Sequence, residues 1–474
     1  MTGERVGSPL PPRLPIEYVG ADELRGPLLV VRGVAGVGWD EFAVIRSSAD
    51  PDADVRHGLV LEVDGDLAVV QVLEGTEGLT PRTTRIAFTG RPLEIPVGPG
   101  WLGRVCNGRG EPIDGGPPVM GTTTVPVAGY PLNPSHREPP EDPVQTGMSV
   151  IDALTTLVRG QKLPIFSVAG LPHLELAAQI AAQARTGDEP FSVVFAAMGL
   201  THGDAESVRS RLEERSAAEE LLLLLNTADD PVIERIITPR IALTVAEHLA
   251  FELGRHVLVL LADMTSYAEA LREVSSARGE VPGRRAYPGY LYSDLATIYE
   301  RCGRIRGRPG SVTVLPVLTM PGGDITHPVP DLTGYITEGQ VVLSRDAEAR
   351  GVYPPVDPLA SLSRLMRSGA GAGRTRDDHL DVAAQLLAAL ARARQASELA
   401  EIVGVGALNA TDQRYLTLGA EFEERLVGQG RAESREMSDT LDRCWDVVNG
   451  LPDRELTMLS PRLRAEHPSR GWGA

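Results

Sequence analysis

The chain of 474 residues is almost without lysine, since Lys162 is the only lysine among its 46 basic residues. A phosphate-binding loop of the form G-x-x-x-x-G-K-[ST] relies on its lysine to reach the phosphates. Around Lys162 the two glycine positions hold Thr156 and Gln161, and Leu163 stands where the motif has Ser or Thr. The sequence therefore excludes Lys162 from such a loop and predicts an ordinary surface lysine ahead of a buried strand.

Cysteines and long apolar runs are also scarce. The three cysteines Cys106, Cys302 and Cys444 lie far apart, which argues against a disulfide framework or a zinc site and suits a reducing cytoplasm. No apolar run reaches the roughly eighteen residues of a membrane span. Acidic residues outnumber basic ones by 64 to 46, and the formal charge of −18 argues against nucleic-acid binding.

The patterns that are present divide the chain into three parts. In residues 1-80, two apolar runs flank Asp64-Gly65-Asp66 in a hairpin pattern, and we predict a small β-barrel. Residues 81-366 hold apolar strands separated by helical segments, which predicts a parallel sheet covered on both faces. Residues 367-474 show helical spacing, above all at 379–396, and predict a helical domain. The fold class is therefore multi-domain α/β.

The central strands are expected at residues 163–168, 191–197, 221–226, 257–262 and 312–320. Thr238 followed by Pro239 has the form of a helix N-cap with proline at the first helical position. We therefore predict that one of the intervening helices begins there.

In the middle of the chain a strand, a tight loop and a helix follow one another, which is the layout of an ATP-binding loop. The loop is degenerate, because its four fixed positions hold Ser167, Pro172, His173 and Leu174, with Gly170 between them. Pro172 removes a backbone N–H from the phosphate cradle, and a histidine is shorter than a lysine and mostly neutral at pH 7. Leucine offers magnesium no ligand. We therefore expect the loop to have lost its catalytic equipment.

Asp263 ends the apolar strand at 256–262, where nucleotide-binding proteins carry an aspartate that holds or orients magnesium. The alternative is a structural one, in which Asp263 caps the helix that begins near Thr265. Sequence alone does not separate these roles, although the degenerate loop favours the cap.

Seven segments together resemble the B subunit of V-type and A-type rotary ATPases. They are residues 145–152, 158–167, 170–173, 236–240, 282–289, 326–331 and 361–366. The likeness extends over roughly residues 15–450 and implies an N-terminal β-barrel, a central RecA-like domain with a degenerate P-loop, and a C-terminal helical bundle. Members of this family usually have asparagine where this chain has Leu174.

The resemblance implies a subunit that does not hydrolyse ATP by itself. Catalytic members of the superfamily carry a glutamate that orients the attacking water, and Leu200 takes that place here. In the resembling family the arginine that corresponds to Arg364 reaches the γ-phosphate of a neighbouring catalytic A subunit. Arg364, and less firmly Ser363, are therefore the expected contacts to a nucleotide at the interface. The alternative makes Arg364 one of 45 arginines in surface ion pairs.

The family also implies partners, ligands and a place in the cell. Three B and three A subunits are expected to alternate in a ring, with central and peripheral stalks and, indirectly, the membrane ion-translocating rotor. No cofactor is expected on this chain alone, no metal ligand and no nucleic acid; MgATP or ADP is shared with the catalytic subunit. The expected location is the cytoplasmic face of a membrane. An active secretion-type ATPase and a ring-shaped nucleic-acid translocase are disfavoured alternatives.

Overall fold

The N-terminal part of the computed structural model is an antiparallel sheet with a core of its own. The structure describes residues 16–48, 50 and 54–467. The start of the predicted domain 1-80 and the end of the predicted domain 367-474 therefore lie outside the described residues. In the described part the sheet has seven strands, in the order β1-β7-β4-β5-β6-β3-β2. They are β1 (Ile16–Val19), β2 (Glu23–Arg25), β3 (Leu28–Arg32), β4 (Glu41–Arg46), β5 (Val55–Asp64), β6 (Leu67–Val72) and β7 (Arg85–Pro92).

Alternation of apolar and polar residues explains this sheet. Along β4 every second side chain is buried, and Ala43 and Ile45 point into the same core as Val60 and Val70. The hairpin between β5 and β6 turns at Gly65, whose φ of 61° favours glycine. Strand β7 pairs with β4 and β1 and lies beyond residue 80.

A segment rich in loops joins this sheet to the centre of the molecule. Its elements are β8 (Glu94–Val97), β9 (Val105–Asn107), β10 (Thr123–Pro126), β11 (Arg137–Glu138), β12 (Pro143–Val144), α1 (Ser149–Leu154) and β13 (Leu157–Val158). Strand β9 pairs with the strand at Leu221–Thr227 as the outermost strand of the central sheet, so this segment is hydrogen-bonded to the next domain.

The central domain alternates strands and helices, as predicted. Its elements are β14 (Ile165–Ser167), α2 (His173–Gln183), β15 (Phe191–Leu200), α3 (His202–Arg211), α4 (Glu213–Ala217), β16 (Leu221–Thr227), α5 (Val232–Glu247), β17 (His256–Ala262), α6 (Met264–Ala277), α7 (Leu291–Tyr299), β18 (Gly303–Ile305), β19 (Ser311–Thr319), α8 (Pro328–Ile336), β20 (Gly339–Val342), α9 (Arg345–Ala349), β21 (Leu362–Ser363) and α10 (Met366–Gly369).

The sheet of this domain runs in the order β21-β20-β14-β19-β17-β15-β16-β9. The strands from β20 to β9 are parallel, and β21 is antiparallel to β20. All seven residues of β17 are buried, because helices cover both faces of the sheet. Polar side chains therefore lie near the ends of the strands. We call the end of the sheet where the parallel strands begin its amino edge, and the end where they finish its carboxyl edge. The degenerate loop lies where β14 ends.

The predicted helix start at Thr238-Pro239 is wrong. Helix α5 begins at Val232, and Pro239 lies inside it. The Thr238 hydroxyl donates to the Glu234 carbonyl at 2.7 Å, a bond within the helix rather than a cap. Proline at 239 leaves a single intrahelical bond unmade, which the buried packing of α5 tolerates.

The C-terminal part is helical, as predicted. It contains α11 (His379–Val403), α12 (Ala410–Glu421), α13 (Met437–Val448) and α14 (Pro461–Glu466), and a π-helical turn at Phe422–Val427 follows α12. Gln429 and Arg435 fasten it to the central domain, since the Gln429 amide donates to the Gly147 carbonyl at 2.6 Å. The Arg435 backbone N–H donates to that same carbonyl at 3.1 Å.

Among the helices of the described residues, none is both long enough and apolar enough to cross a membrane.

A charged network joins the N-terminal sheet to the central domain. Arg109 contacts the carboxylates of Glu74 at 2.8 Å, Glu111 at 2.7 Å and Glu234 at 3.3 Å. The side chain of Glu234 is only 4% exposed. Burial raises the pKa of Glu234 to about 7, although the charge of Arg109 acts in the opposite direction.

We predict that Glu234 makes the protein less stable as pH rises from about 4.5 to about 7. A raised carboxyl pKa means that the folded state binds more protons than the unfolded state in this window. The wild type should therefore lose up to about 3 kcal/mol of unfolding free energy from pH 5 to pH 8 through this group. The variant Glu234→Gln should not show that loss. Denaturant unfolding at both values measures the difference. The variant Glu62→Gln, at an exposed glutamate that is not an ion-pair partner of Arg109, is the control. Equal pH dependence in Glu234→Gln and wild type contradicts the prediction.

Candidate nucleotide-binding site

The degenerate loop closes on its own backbone. The backbone N–H of His173 donates to the Leu171 carbonyl at 2.9 Å. The His173 ring nitrogen Nδ1 donates to that same carbonyl, also at 2.9 Å. Pro172 occupies the N-cap of α2 and makes no side-chain cap. One backbone donor that could face a phosphate is thus absent at Pro172, and the donor of His173 is turned to a carbonyl of the loop itself. Gly170 keeps the left-handed φ of 91° that lets the chain turn here.

A cavity of about 450 Å³ lies beside the loop, between α2, the end of β15 and α3. Three of the residues lining it are acidic, namely Glu175, Asp204 and Asp263. Glu175 pairs with Arg211 at 2.8 Å and also with Arg431. The carboxylate of Glu175 thus already pairs with two cations beside the cavity, while Arg345 donates to the loop carbonyl of Ala169 at 3.4 Å. An anionic triphosphate would meet an excess of negative charge here.

Two further residues singled out in the sequence line the same cavity, Leu200 and Asp263. Leu200 ends β15 and lines the cavity, and an aliphatic side chain cannot orient water. Asp263 caps α6, since its Oδ1 accepts the Thr265 backbone N–H at 2.6 Å. Oδ2 of Asp263 accepts the Thr319 hydroxyl. The structural role expected for Asp263 is therefore present, and both of its oxygens are engaged within the chain.

Arg364 lies at the other edge of the sheet. It follows β21, and Ser363 pairs with Gly339 at the amino end of β20, which runs parallel to β14. The degenerate loop leaves the carboxyl end of β14, at Ser167. Arg364 and the loop of the same chain are therefore on opposite edges, and the sheet does not bring these two predicted sites together.

The side chain of Arg364 is exposed and only lightly held. One Nη donates to the Thr337 carbonyl at 3.3 Å. Within residues 16–48, 50 and 54–467, no carboxylate lies at ion-pair distance from it. The alternative of an ion pair with the described surface of its own chain is therefore wrong. A guanidinium with no carboxylate partner among these residues is available to an anion from outside.

Ser363 is buried, and its hydroxyl is used inside the protein. Its Oγ donates to the Thr156 carbonyl at 3.1 Å and accepts the Gln161 amide at 2.9 Å. These contacts give Ser363 a role in holding the segment that carries Arg364. Contact with a nucleotide stays a prediction for Ser363.

The prediction that Lys162 lies on the surface is wrong. Its side chain is 5% exposed and lies between two carboxylates, with Nζ 3.0 Å from Glu300 and 2.8 Å from Glu338. Burial lowers the pKa of Lys162, but the charges and hydrogen bonds of Glu338 and Glu300 outweigh it and raise the pKa above its usual value. Sequence reasoning missed these glutamates because each follows a different helix, far along the chain.

No group of three or more histidine, cysteine, aspartate or glutamate side chains is arranged to hold a metal ion in the part of the chain that the structure describes.

Comparison with known proteins gives the same three-part division. Residues 147–363 match the model of the ATP synthase alpha/beta family, nucleotide-binding domain. Residues 23–90 match the beta-barrel domain of that family, and residues 368–467 match the C-terminal domain of V and A type ATP synthase.

Individual relatives are similar over nearly the whole chain. The B subunit of the A-type ATP synthase of Aeropyrum pernix is 53% identical over 455 residues, which cover 95% of this chain and 98% of that protein. The V-type ATP synthase beta chain of Halothermothrix orenii is 54% identical over 446 residues, covering 94% and 96%. Among solved structures, the ATP synthase subunit NeqB of Nanoarcheaum equitans is 35% identical, with a TM-score of 0.70, covering 87% of this chain and 100% of that one.

The fold and the site together define a nucleotide-fold protein of the ATP synthase alpha/beta family with a degenerate phosphate loop. Within that family, the chain belongs to the B subunits of the V-type and A-type ATP synthases. The fold class and the resemblance expected from the sequence are thereby confirmed.

We predict that the isolated chain binds MgATP more weakly than about 1 µM, the level that corresponds to roughly −8 kcal/mol. The reason is that Pro172 removes one backbone donor, His173 turns its own donors to the Leu171 carbonyl, and three acidic residues line the cavity. Isothermal titration calorimetry measures the affinity.

The double change His173→Lys with Leu174→Thr should not produce ATP turnover as long as Leu200 is present, because Leu200 cannot orient water. Sub-micromolar binding by the wild-type chain contradicts this view of the loop.

Proposed function

We propose that this chain is the non-catalytic, regulatory and structural B subunit of a rotary V/A-type ion-translocating ATP synthase. It alternates with catalytic A subunits in a ring of three and three. It supplies Arg364 as an arginine finger in trans to the ATP site of the neighbouring subunit. The observation that carries the proposal is the exposed Arg364, which lies at the sheet edge opposite its own loop.

The non-catalytic part of the proposal is supported by independent losses at one site. His173 replaces the lysine of the loop, and Leu200 replaces the water-orienting glutamate. One substitution alone is compatible with compensation from a neighbour. Loss of both the phosphate contact and the water contact removes binding and chemistry together.

The trans role of Arg364 is supported by its chemistry and its position. A guanidinium is planar and permanently charged, so it can spread over the equatorial oxygens of a transferring phosphoryl group. The opposite position on the sheet keeps it from the degenerate loop of the same chain, so it can act only on another subunit. MgATP or ADP would then be shared at the A–B interface.

The proposed partners follow from membership in the family. They are the catalytic A subunit, the central and peripheral stalk subunits and, through these, the ion-translocating rotor of the membrane. The complex would place the chain on the cytoplasmic face. The formal charge of −18 supports the view that no nucleic acid is bound.

We predict that Arg364→Ala nearly abolishes steady-state ATP hydrolysis by the assembled A–B complex. Arginine fingers contribute about 10³–10⁵ in rate, which is roughly 4–7 kcal/mol of barrier. KM for MgATP should change much less than kcat, because the finger acts mainly on the transition state. Arg364→Lys should rescue little, since an ammonium lacks the planar fork.

The matched control is Arg367→Ala, which removes another exposed arginine three residues further along the chain. Assembly of each complex is checked by size-exclusion chromatography before the kinetics. Near-normal turnover by a fully assembled Arg364→Ala complex would refute the finger.

A further inference from the structure

The single lysine of the chain is packed behind the segment that carries Arg364. Nζ of Lys162 binds the carboxylate of Glu338, and the Lys162 backbone N–H donates to Glu338 Oε2 at 2.8 Å. The Glu338 backbone N–H donates in turn to the Lys162 carbonyl at 3.0 Å. The backbone and the side chain of Glu338 are thus both fixed to Lys162.

The turn at Thr337 and Glu338 is also the seat of Arg364. The Arg364 backbone N–H donates to the Glu338 carbonyl at 3.0 Å. The Arg364 guanidinium donates to the Thr337 carbonyl. Both contacts of Arg364 therefore go to the two residues of the turn that Lys162 holds.

Gln161 makes a second link between the same elements. Its amide nitrogen donates to the Glu338 carbonyl at 3.3 Å and to Ser363 Oγ at 2.9 Å, directly beside Arg364. The fit is tight, because a Cβ added at Gly339 would lie 2.1 Å from the Leu362 carbonyl oxygen. The φ of 139° at Gly339 further favours glycine. The segment has little freedom to move away from the turn.

We propose that Gln161 and Lys162 are positioning residues for Arg364, which set the place and direction of its guanidinium for the neighbouring subunit. The proposal rests on the trans role of Arg364 described above. In this proposal neither residue touches nucleotide: Lys162 acts through Glu338, and Gln161 acts through Glu338 and Ser363. We call the residues that hold this segment the mount of Arg364; they are Gln161 and Lys162, Glu300, Thr337 and Glu338, and Ser363.

The choice of lysine at position 162 fits this role. At the other 45 lysine or arginine positions the chain uses arginine. A site that is 5% exposed and lies between two carboxylates needs a compact charge with donors in several directions. An ammonium supplies that, whereas a guanidinium is a wide planar fork. A lysine thus holds Glu338 without pushing the turn outward.

We predict that Lys162→Met lowers kcat for ATP hydrolysis by the A–B complex by about 10-fold to 10²-fold, the range expected when a catalytic group is displaced by about 1 Å. KM for MgATP should change much less than kcat. In an Arg364→Ala background, Lys162→Met should have almost no further effect, because its influence passes through the arginine. This lack of additivity is a readout that a merely structural role of Lys162 would not give.

A gentler pair of variants covers the case in which Lys162→Met fails to fold. Glu338→Gln and Glu300→Gln each remove one carboxylate from Lys162 and leave the other in place. Glu338 alone carries the turn that binds Arg364. We expect Glu338→Gln to lower kcat several-fold more than Glu300→Gln, in complexes with equal assembly and thermal stability.

The outcomes separate this inference from the proposed function. If Arg364→Ala leaves turnover near normal, the finger itself is wrong. If Arg364→Ala abolishes turnover while Lys162→Met has wild-type kcat, or Glu338→Gln and Glu300→Gln behave alike, only the positioning role is wrong. A rate loss from Lys162→Met of the same factor with and without Arg364, measured against residual activity, also overturns it.

Discussion

Burial of the parallel sheet on both faces is the constraint on which the rest of this structure depends. Strands such as β17 leave no room for polar chemistry along their length. Charged and hydrogen-bonding groups are therefore sorted to the two edges. The carboxyl edge carries a phosphate loop that has turned inward, and the amino edge carries Arg364. A single sheet thus presents a degenerate phosphate loop on one edge and an exposed cation on the other.

The loss at the carboxyl edge did not leave a disordered loop. His173 donates to the Leu171 carbonyl from both its backbone N–H and its ring, and the carboxylate of Glu175 pairs with Arg211. Buried or half-buried donors need partners whether or not a ligand is present. The partners of His173 and Arg211 lie within the chain, so these two residues do not depend on a nucleotide for their contacts.

Local pattern was enough to predict the strands, the hairpin at Gly65 and the helical C-terminal part, because apolar periodicity reflects burial directly. Local pattern failed at Pro239, where tertiary packing of α5 outweighed the usual preference of proline for a helix start. It also failed at Lys162, whose partners Glu300 and Glu338 lie 138 and 176 residues further along the chain. No window of neighbouring residues contains that information. The degenerate loop could be recognised from the sequence because its residues are contiguous. The mount of Arg364 could not, because it joins residues from four separate segments.

The burial of Lys162 also has a practical consequence for studies of the assembled enzyme. Reagents that modify primary amines need an accessible lysine side chain, and the only lysine of this chain is 5% exposed and held by two carboxylates. Amine-directed cross-linkers and fluorophores would therefore leave the lysine of this subunit unmodified and mark lysines on its neighbours. A lysine introduced at a chosen surface position would be the one lysine side chain of this subunit that is open to such reagents. Distances within the complex could then be followed from one defined point on the chain.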